Sequence, residues 1–209
     1  MDLGPAEVRV LGCLLEKQRT TPDAYPLSLN ALRLACNQST NRDPVVEYDD
    51  AVLRDALHRL ERRGYTRLAS GAGSRAAKYR HLLADALPMS GAEHAVVCVL
   101  MLRGAQTPGE LKQRGERMHS FADLDEVQRT LDGLIGRGLV ARLERRPGQK
   151  EERYRQLLED SSGAVEQPAV PVAGPAVVAP APAVDGLEER VARLEREVAQ
   201  LRATVAGAA

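Results

Sequence analysis

Residues 37–43 are seven consecutive polar side chains, a composition that can contact nucleic acid. Their amides, hydroxyls and guanidinium group offer hydrogen-bond donors and acceptors of the kind that meet phosphates and base edges. A local role is equally open for Asn37, which can end a helix, and for Asp43, which can form a turn with the proline after it. Gln38 and Arg42 are not needed for a turn, so an external partner is favoured for both. The candidate nucleic-acid or partner contacts in this polar segment are Asn37, Gln38, Ser39, Asn41 and Arg42.

No other set of residue types points to catalysis or to a metal site. The histidines lie on different predicted elements, without a cysteine or carboxylate at ligand spacing, so structural or surface roles are expected. They are His58, His81, His94 and His119. The cysteines, Cys13, Cys36 and Cys98, are far apart and form no CxxC pair, which predicts small core residues. Phosphate-binding glycine loops and a GxSxG motif are also absent from the sequence. We therefore expect a protein that is not an enzyme and that uses no cofactor or metal.

The charge balance limits how such a protein can hold nucleic acid. The 209 residues carry 29 basic and 29 acidic side chains, which excludes a uniformly basic coat and an acidic disordered chain. Residues 1–86 have 13 basic and 11 acidic side chains, residues 87–158 have 12 and 10, and residues 159–209 have 4 and 8. The net charge of zero is therefore the sum of +2, +2 and −4 for these three segments. Any DNA binding must depend on the local placement of charge.

The elements that must position these residues occur twice along the chain. With 44% apolar residues but one Phe and no Trp, the core must consist of Leu, Val and Ala, which favours small helical domains. A Thr-Pro pair follows an apolar helix in each half, at Thr21 and at Thr107. Periodicity and capping residues predict helices 5–17, 28–36 and 49–63 with strands 65–69 and 77–83 in the first half. In the second half they predict helices 91–103 and 108–117, a helix between Asp123 and Gly138, and strands 139–144 and 152–158.

Three helices followed by a strand hairpin is the order of a winged helix, although any small α+β unit can share it. The predicted fold class is mainly α, an α+β fold of two tandem winged-helix domains, residues 1–86 and 87–158. In such a domain the third helix enters the major groove and the wing meets phosphates. The third helix of the first half turns Leu53, Ala56, Leu57 and Leu60 to the core and is more basic toward its C-terminal end. Acidic residues on the third helix of the second half argue against base reading there. The candidate contacts on these surfaces are Arg54, Arg59, Arg75, Lys78, Arg145, Arg146 and Lys150.

Several stretches resemble the YceH-like family of bacterial proteins. They are YPLSLNAL at 25–32, CNQSTNRDPV at 36–45, RG at 103–104 with QTPGEL at 106–111, and RRPGQKEERY at 145–154. The resemblance covers nearly all of residues 1–158 and implies a tandem winged-helix fold. It leaves the biochemical role open.

The C-terminal part is predicted to be a linker followed by a dimerisation helix. Residues 159–184 are rich in Pro, Ala and Val, a composition that extends without packing. In residues 185–206, Val at heptad position a and Leu at position d favour a parallel coiled-coil dimer. The alternative is a lone amphipathic helix that docks on its own domain. The predicted dimerisation residues are Leu187, Val191, Leu194, Val198, Leu201 and Val205.

These features predict a non-enzymatic protein that binds DNA, with transcription regulation as an extension of that role. The alternative is an adaptor that uses its winged-helix surfaces against proteins and makes no direct DNA contact, which the near-zero charge favours. The expected partners are a second copy of the chain, duplex DNA and other cytoplasmic proteins. The sequence has no basic leader before an apolar run and no stretch of 18 apolar residues, so we expect a cytoplasmic protein without membrane association.

Deleting residues 185–209 tests the dimerisation helix. We expect the full chain to be a dimer and the truncated chain a monomer, because the deletion removes the whole apolar seam. Light scattering on both chains at the same concentration measures their masses. A truncated chain that stays dimeric, or a full chain that is monomeric, contradicts the prediction.

Overall fold

In the computed structural model, which describes residues 2–69, 77–145 and 151–159, the first half of the chain forms three α-helices and a small antiparallel sheet. The helices are α1 (Pro5–Thr20), α2 (Leu29–Cys36) and α3 (Asp50–Arg62), with a single 3₁₀ turn at Pro22–Ala24. The strands are β1 (Leu27–Ser28), β2 (Thr66–Leu68) and β3 (Lys78–His81), which lie in the order β1-β3-β2.

Local sequence explains where these helices begin and end. Ser28 Oγ accepts a hydrogen bond from the Ala31 amide at 3.2 Å, so its side chain caps α2. Asp49 Oδ1 accepts one from the Val52 amide at 2.9 Å and caps α3 in the same way. Gly64 follows the end of α3 with a φ of +75°, a conformation that favours glycine. The predicted core face of α3 is confirmed, because all four residues are buried: Leu53, Ala56, Leu57 and Leu60.

The second half repeats this order after a short connecting helix. Its elements are α4 (Leu83–Ala86), α5 (Gly91–Arg103), α6 (Pro108–Gly115), α7 (Leu124–Gly136), β4 (Val140–Leu143) and β5 (Arg153–Gln156). Capping boxes begin α5 at Ser90 and α6 at Thr107, as the sequence predicts. Asp123 caps α7, and the two strands pair antiparallel, with Val140 opposite Gln156.

The order of elements confirms an α+β fold, and three helices followed by antiparallel strands are consistent with a winged-helix-like arrangement. The predicted bounds differ in places: α6 ends at Gly115, and each predicted strand is one or more residues too long at its ends. The sequence did not predict β1 and α4, because elements of two and four residues carry no measurable periodicity. Leu124 has the spacing of a core residue but is 52% exposed, because it is the first residue of α7 and lies beyond the core. The division into domains at residue 86 stays a prediction.

Helices α1 and α5 join the two halves through a close contact at Gly12. A Cβ atom at this position would lie 2.9 Å from Leu102 Cδ2 and 3.2 Å from Met101 Cβ. The Cys98 thiol donates to the Gly12 carbonyl at 3.4 Å. Helix α1 also packs on α2 and α3, and α5 packs on α6 and α7, so one hydrophobic core continues through both halves.

The predicted core role of the three cysteines is confirmed. Cys13, Cys36 and Cys98 are free thiols on α1, α2 and α5, and all three are buried. Burial raises the pKa of the Cys98 thiol well above its ordinary value, which favours the neutral form. Among the described residues, none of the helices is long and apolar enough to cross a membrane.

Gly12→Ala and Gly133→Ala are a matched pair that tests the contact between α1 and α5. Overpacking a tight core contact costs about 1–3 kcal/mol, whereas replacing Gly by Ala within a helix gains roughly 1 kcal/mol. We expect Gly12→Ala to lower the free energy of unfolding by about 1 kcal/mol, because the added Cβ would lie 3.2 Å from Met101 Cβ, an atom that cannot move without the backbone of α5. Gly133→Ala should raise it, because a Cβ there meets nothing within 4 Å. Urea unfolding of both variants measures the difference, and equal stabilities would contradict the expectation.

Candidate nucleic-acid interface

The solvent side of α3 carries arginines along its length. Arg54, Arg59 and Arg62 are exposed, and the first two are predicted contacts. Arg59 Nη2 lies 2.8 Å from Asp55 Oδ2, an exposed pair that contributes little to stability in water. Arg54 and Arg62 make no ion pair with the described residues. Helix α3 therefore presents two cations, Arg54 and Arg62, that no carboxylate of the described residues neutralises.

The outward face of the three-stranded sheet adds a second basic surface. Arg67 on β2 lies directly opposite Arg80 on β3, and Lys78 lies two residues before Arg80 on the same side of the strand. All three are exposed, whereas His81 between this face and the core is buried. Like charges that lie opposite each other on a sheet are destabilising. Within the described residues Arg67 and Arg80 have no acidic partner, so their charges remain available to an external anion.

Sequence reasoning selected Lys78 but missed Arg62, Arg67 and Arg80. The signal for Arg80 was present, because Lys78, Tyr79, Arg80 and His81 alternate between exposed basic side chains and inward-facing rings. Arg67 became identifiable only through the register that places it opposite Arg80. Arg62 shares a groove of about 360 Å³ with Arg59 and Arg63 at the C-terminal end of α3.

Asn37 acts inside the fold. Its Nδ2 donates to the Tyr48 carbonyl at 2.9 Å, and its Oδ1 accepts from the Tyr48 amide at 2.9 Å. The side chain thus closes the loop between α2 and α3, and Asn37 is also the C-terminal cap of α2. This is the local role that the sequence left open for this residue.

Arg42 was predicted to contact an external partner, and the structure corrects this because the side chain is not at the surface. Its side chain is fully buried, and Nη2 lies 2.6 Å from Glu16 Oε2 on α1. Its Nε also donates to the Ala35 carbonyl at 3.0 Å. Buried Arg9 supports the same loop, since it donates to the carbonyls of Cys36 at 3.0 Å and Pro44 at 2.6 Å. The guanidinium of Arg42 therefore has its partners within the chain.

The remainder of the polar segment is divided between the second half and solvent. Arg103 on α5 donates to Asn41 Oδ1, and the Asp43 amide donates to the Leu102 carbonyl at 2.9 Å. Gln38 is half-buried and Ser39 is exposed, and neither side chain has a hydrogen-bond partner among the described residues. Gln38 and Ser39 therefore stay candidate contacts, whereas Asn41 faces α5.

Several basic residues of the second half are paired with carboxylates. Glu152 lies 3.4 Å from Arg145 and 3.5 Å from Arg142, and Arg153 lies 3.3 Å from Glu110. The structure brings predicted contact Arg145 into this paired group. Three further predicted contacts lie outside the described residues: Arg75, Arg146 and Lys150. So do the linker and the predicted dimerisation residues Leu187, Val191, Leu194, Val198, Leu201 and Val205.

Three of the four histidines make local contacts, whereas His58 is exposed on α3. His81 Nδ1 accepts from the Leu83 amide at 3.3 Å, so Nε2 carries the proton toward Gln18 Oε1 at 2.6 Å. Burial, together with the charges of His94 and Arg19, lowers the pKa of His81 to about 4. His119 Nε2 lies 3.0 Å from Glu126 Oε1 on α7. Among the described residues no three His, Cys, Asp or Glu side chains are arranged to hold a metal ion.

Arg42→Gln and Arg59→Gln separate a structural arginine from an exposed one. Removing one partner of a buried ion pair costs about 3–5 kcal/mol, whereas an exposed pair contributes about 0–1 kcal/mol. We expect Arg42→Gln to lower the unfolding free energy by about 3 kcal/mol, because Glu16 loses its main partner within the fold. Arg59→Gln should leave stability nearly unchanged. Urea titrations measure both unfolding free energies. If Arg42→Gln were as stable as the unsubstituted chain but defective in binding, Arg42 would be a partner contact after all.

Comparison with known proteins places this fold in a family. A family model described as "Protein of unknown function, DUF480" matches residues 3–149, the region from α1 through β4. A UPF0502 protein of Citrifermentans bemidjiense is 55% identical over 157 residues, covering 74% of this chain and 73% of that protein. A UPF0502 protein of Serratia proteamaculans is 49% identical over 163 residues, covering 75% and 76%.

These matches confirm the expectation of a bacterial family whose function is unknown, while the YceH-like name stays an expectation. Identity near 50% over three quarters of both chains is far above what a shared fold alone produces. The chain belongs to the DUF480 family, whose members carry the name UPF0502 protein.

Proposed function

We propose that the protein binds duplex DNA through its first half, as a tandem winged-helix protein. The observation that carries this proposal is the set of exposed arginines on α3 and on the outward sheet face that have no carboxylate partner among the described residues: Arg54, Arg62, Arg67 and Arg80. Phosphate neutralisation by such cations, with release of counterions, supplies most of the affinity of DNA-binding domains. Those arginines of the second half that pair with carboxylates, Arg142, Arg145 and Arg153 among them, have less charge to offer.

The spacing on α3 suits a recognition helix. Arg54 and Arg62 are eight residues apart, a rise of about 12 Å, which is comparable to the width of the major groove. Phosphates at the groove edges then lie within reach of both guanidinium groups, while exposed His58 and Arg59 between them face base edges. The outward sheet face, with Arg67 and Arg80, takes the phosphate contacts of a wing.

Pairing of two chains strengthens weak contacts in this proposal. Residues 1–86 carry a surplus of only two positive charges, so one DNA-binding surface gives modest affinity. The heptad pattern of residues 185–206 supports a parallel dimer, which places two first halves on one duplex. The second contact then benefits from the effective concentration that the first one creates.

An adaptor role is the second candidate, and exposed apolar side chains favour it. Leu34 on α2 is 63% exposed, and Val45 before α3 is 57% exposed. Large apolar side chains near a polar rim are typical of protein interaction sites. In this alternative the loop and α2 contact a protein partner, and α3 makes no DNA contact.

Salt-dependent binding tests the DNA proposal. We expect the full chain to bind a labelled duplex of mixed sequence, with affinity that falls steeply between about 50 and 200 mM salt. The double variant Arg54→Gln/Arg62→Gln should weaken binding at least about tenfold and reduce the salt slope by roughly 2, because each lost phosphate contact removes about one unit. Fluorescence anisotropy measures both quantities.

The variant Arg129→Gln/Arg155→Gln is the matched control, because it removes the same charge from exposed positions of the second half that have no carboxylate partner among the described residues. Its affinity should remain close to that of the unsubstituted chain. Equal losses in the two double variants would contradict the assignment to the first half. Absence of binding at low salt would overturn the DNA proposal, and Leu34→Ser/Val45→Ser would then test the adaptor role by loss of a captured protein.

A further inference from the structure

A cavity of about 330 Å³ lies where the C-terminal parts of α1, α5 and α6 meet. Helix α1 contributes Glu16 and Thr20, and Asn41 of the polar segment forms part of the same wall. Its volume falls within the range of about 300–1,000 Å³ typical of small-molecule sites. The cavity is separate from the basic surfaces of α3 and the outward sheet face.

Three arginines line this cavity, and little within the chain neutralises them. Arg103 donates to Asn41 Oδ1 and makes no ion pair with the described residues. Arg117 has neither a hydrogen bond nor an ion pair in the described part of the chain. Arg114 lies 3.4 Å from Glu110, a carboxylate that is also 3.3 Å from Arg153. Arg114 thus shares the carboxylate of Glu110 with Arg153, and Arg103 and Arg117 have no carboxylate partner among the described residues.

The acidic residue of the lining does not offset this charge. Glu16 is held by Arg42 at 2.6 Å and lies 3.8 Å from Lys17. Three arginines and one glutamate leave the lining with a formal charge of +2, and buried Arg42 stands directly behind Glu16. A dianion would balance the lining.

The position of these arginines carries an electrostatic cost. Burial lowers the pKa of Arg103, and the neighbouring charges of Arg114 and Arg42 lower it further. Arg103 and Arg114 lie in the last turns of α5 and α6, where the helix dipole favours cations. The helix dipole favours an arginine at each helix end, and the charges of Glu16 and Glu110 oppose the lowering of the Arg103 pKa, so the repulsion from Arg114 and Arg42 is relieved only in part.

The cavity also has an apolar side. Val99 and Leu102 of α5 and Met118, just after α6, form part of its wall. The first two belong to the buried core, so this surface is held in place. An inorganic phosphate would fill only a fraction of the space, and a ligand with an uncharged group would use the remainder.

We propose that this cavity binds a small organic dianion, a phosphate monoester, with its phosphate on Arg103, Arg114 and Arg117 and its uncharged part on Val99, Leu102 and Met118. The planar guanidinium fork matches phosphate oxygens in pairs, which makes arginine the suitable residue for this contact. This assignment does not depend on DNA binding. Because α1 and Asn41 come from the first half and α5 and α6 from the second, the ligand contacts both halves of the chain at once.

Calorimetric titration of the full chain with phenyl phosphate, inorganic phosphate and phenol, at constant ionic strength, tests the proposal. We expect saturable binding of phenyl phosphate at one site per chain, at least about tenfold tighter than inorganic phosphate, and no binding of phenol, because both the charge and the apolar wall contribute. Equal affinity for the two phosphates, or no saturable binding of phenyl phosphate, overturns it.

Substitutions locate the ligand. Arg103→Gln/Arg117→Gln should weaken phenyl phosphate binding at least about tenfold, since each charge-assisted hydrogen bond of this kind contributes a factor of ten or more. Arg54→Gln/Arg129→Gln removes the same charge elsewhere and should bind normally. Gln113→Trp should block the cavity while keeping all three arginines, and unchanged binding in this variant overturns the placement. Displacement of phenyl phosphate by duplex DNA would assign the arginines to a nucleic-acid surface and also overturn the small-molecule site.

Discussion

The close approach of α1 and α5 at Gly12 is the contact on which the rest of the structure depends. With no side chain at this position, Leu102 and Met101 pack directly against the backbone of α1. Because each helix is the centre of its own half, one tight contact sets the relation of the two halves. A core made almost wholly of Leu, Val and Ala has few large rings to fill gaps, so close backbone approach replaces aromatic bulk.

This packing decides what the polar segment does. Once α5 lies against α1, the loop after α2 contacts both helices, and its buried polar groups must find partners or lose hydration. Arg42 binds Glu16, Asn41 accepts from Arg103, and the Asp43 amide bonds α5. A segment whose composition resembles a nucleic-acid contact is thereby largely used to join the two halves. Half-buried Gln38 and exposed Ser39 remain open to a partner.

The net charge of zero does not show which charges are neutralised, and the ion pairs do. Carboxylates of the second half hold Arg142, Arg145 and Arg153, whereas Arg54 and Arg62 on α3 lack such partners among the described residues. The same total charge therefore includes arginines that carboxylates hold and arginines on α3 that can attract phosphate. In a third group, the arginines around the cavity, Arg114 shares Glu110 with Arg153, and Arg42 already pairs with Glu16. Pairing, more than composition, distinguishes the three regions.

The sequence by itself determined the main helices and strands and their order, although β1 and α4 were too short to predict. Two features are local and can be predicted from neighbouring residues: the helix caps at Ser90, Thr107 and Asp123, and the apolar face of α3. The burial of the three cysteines was also predictable, because their spacing fits neither a metal site nor a disulfide framework. The sequence also indicated a bacterial family of unknown function, and relatives that share about half of their residues with this chain confirm it.

Only the tertiary structure decided which polar side chains are free. Arg42 and Arg54 are the same residue type in polar surroundings, yet one is buried against Glu16 and the other is exposed. Glu16 precedes Arg42 by 26 residues, and Arg103, the partner of Asn41, follows Asn41 by 62. The convergence of Arg103, Arg114 and Arg117 on one cavity likewise requires α5 and α6 to meet the end of α1. A side chain's partner depends on which distant segments the core brings together, and no local pattern in the sequence records that.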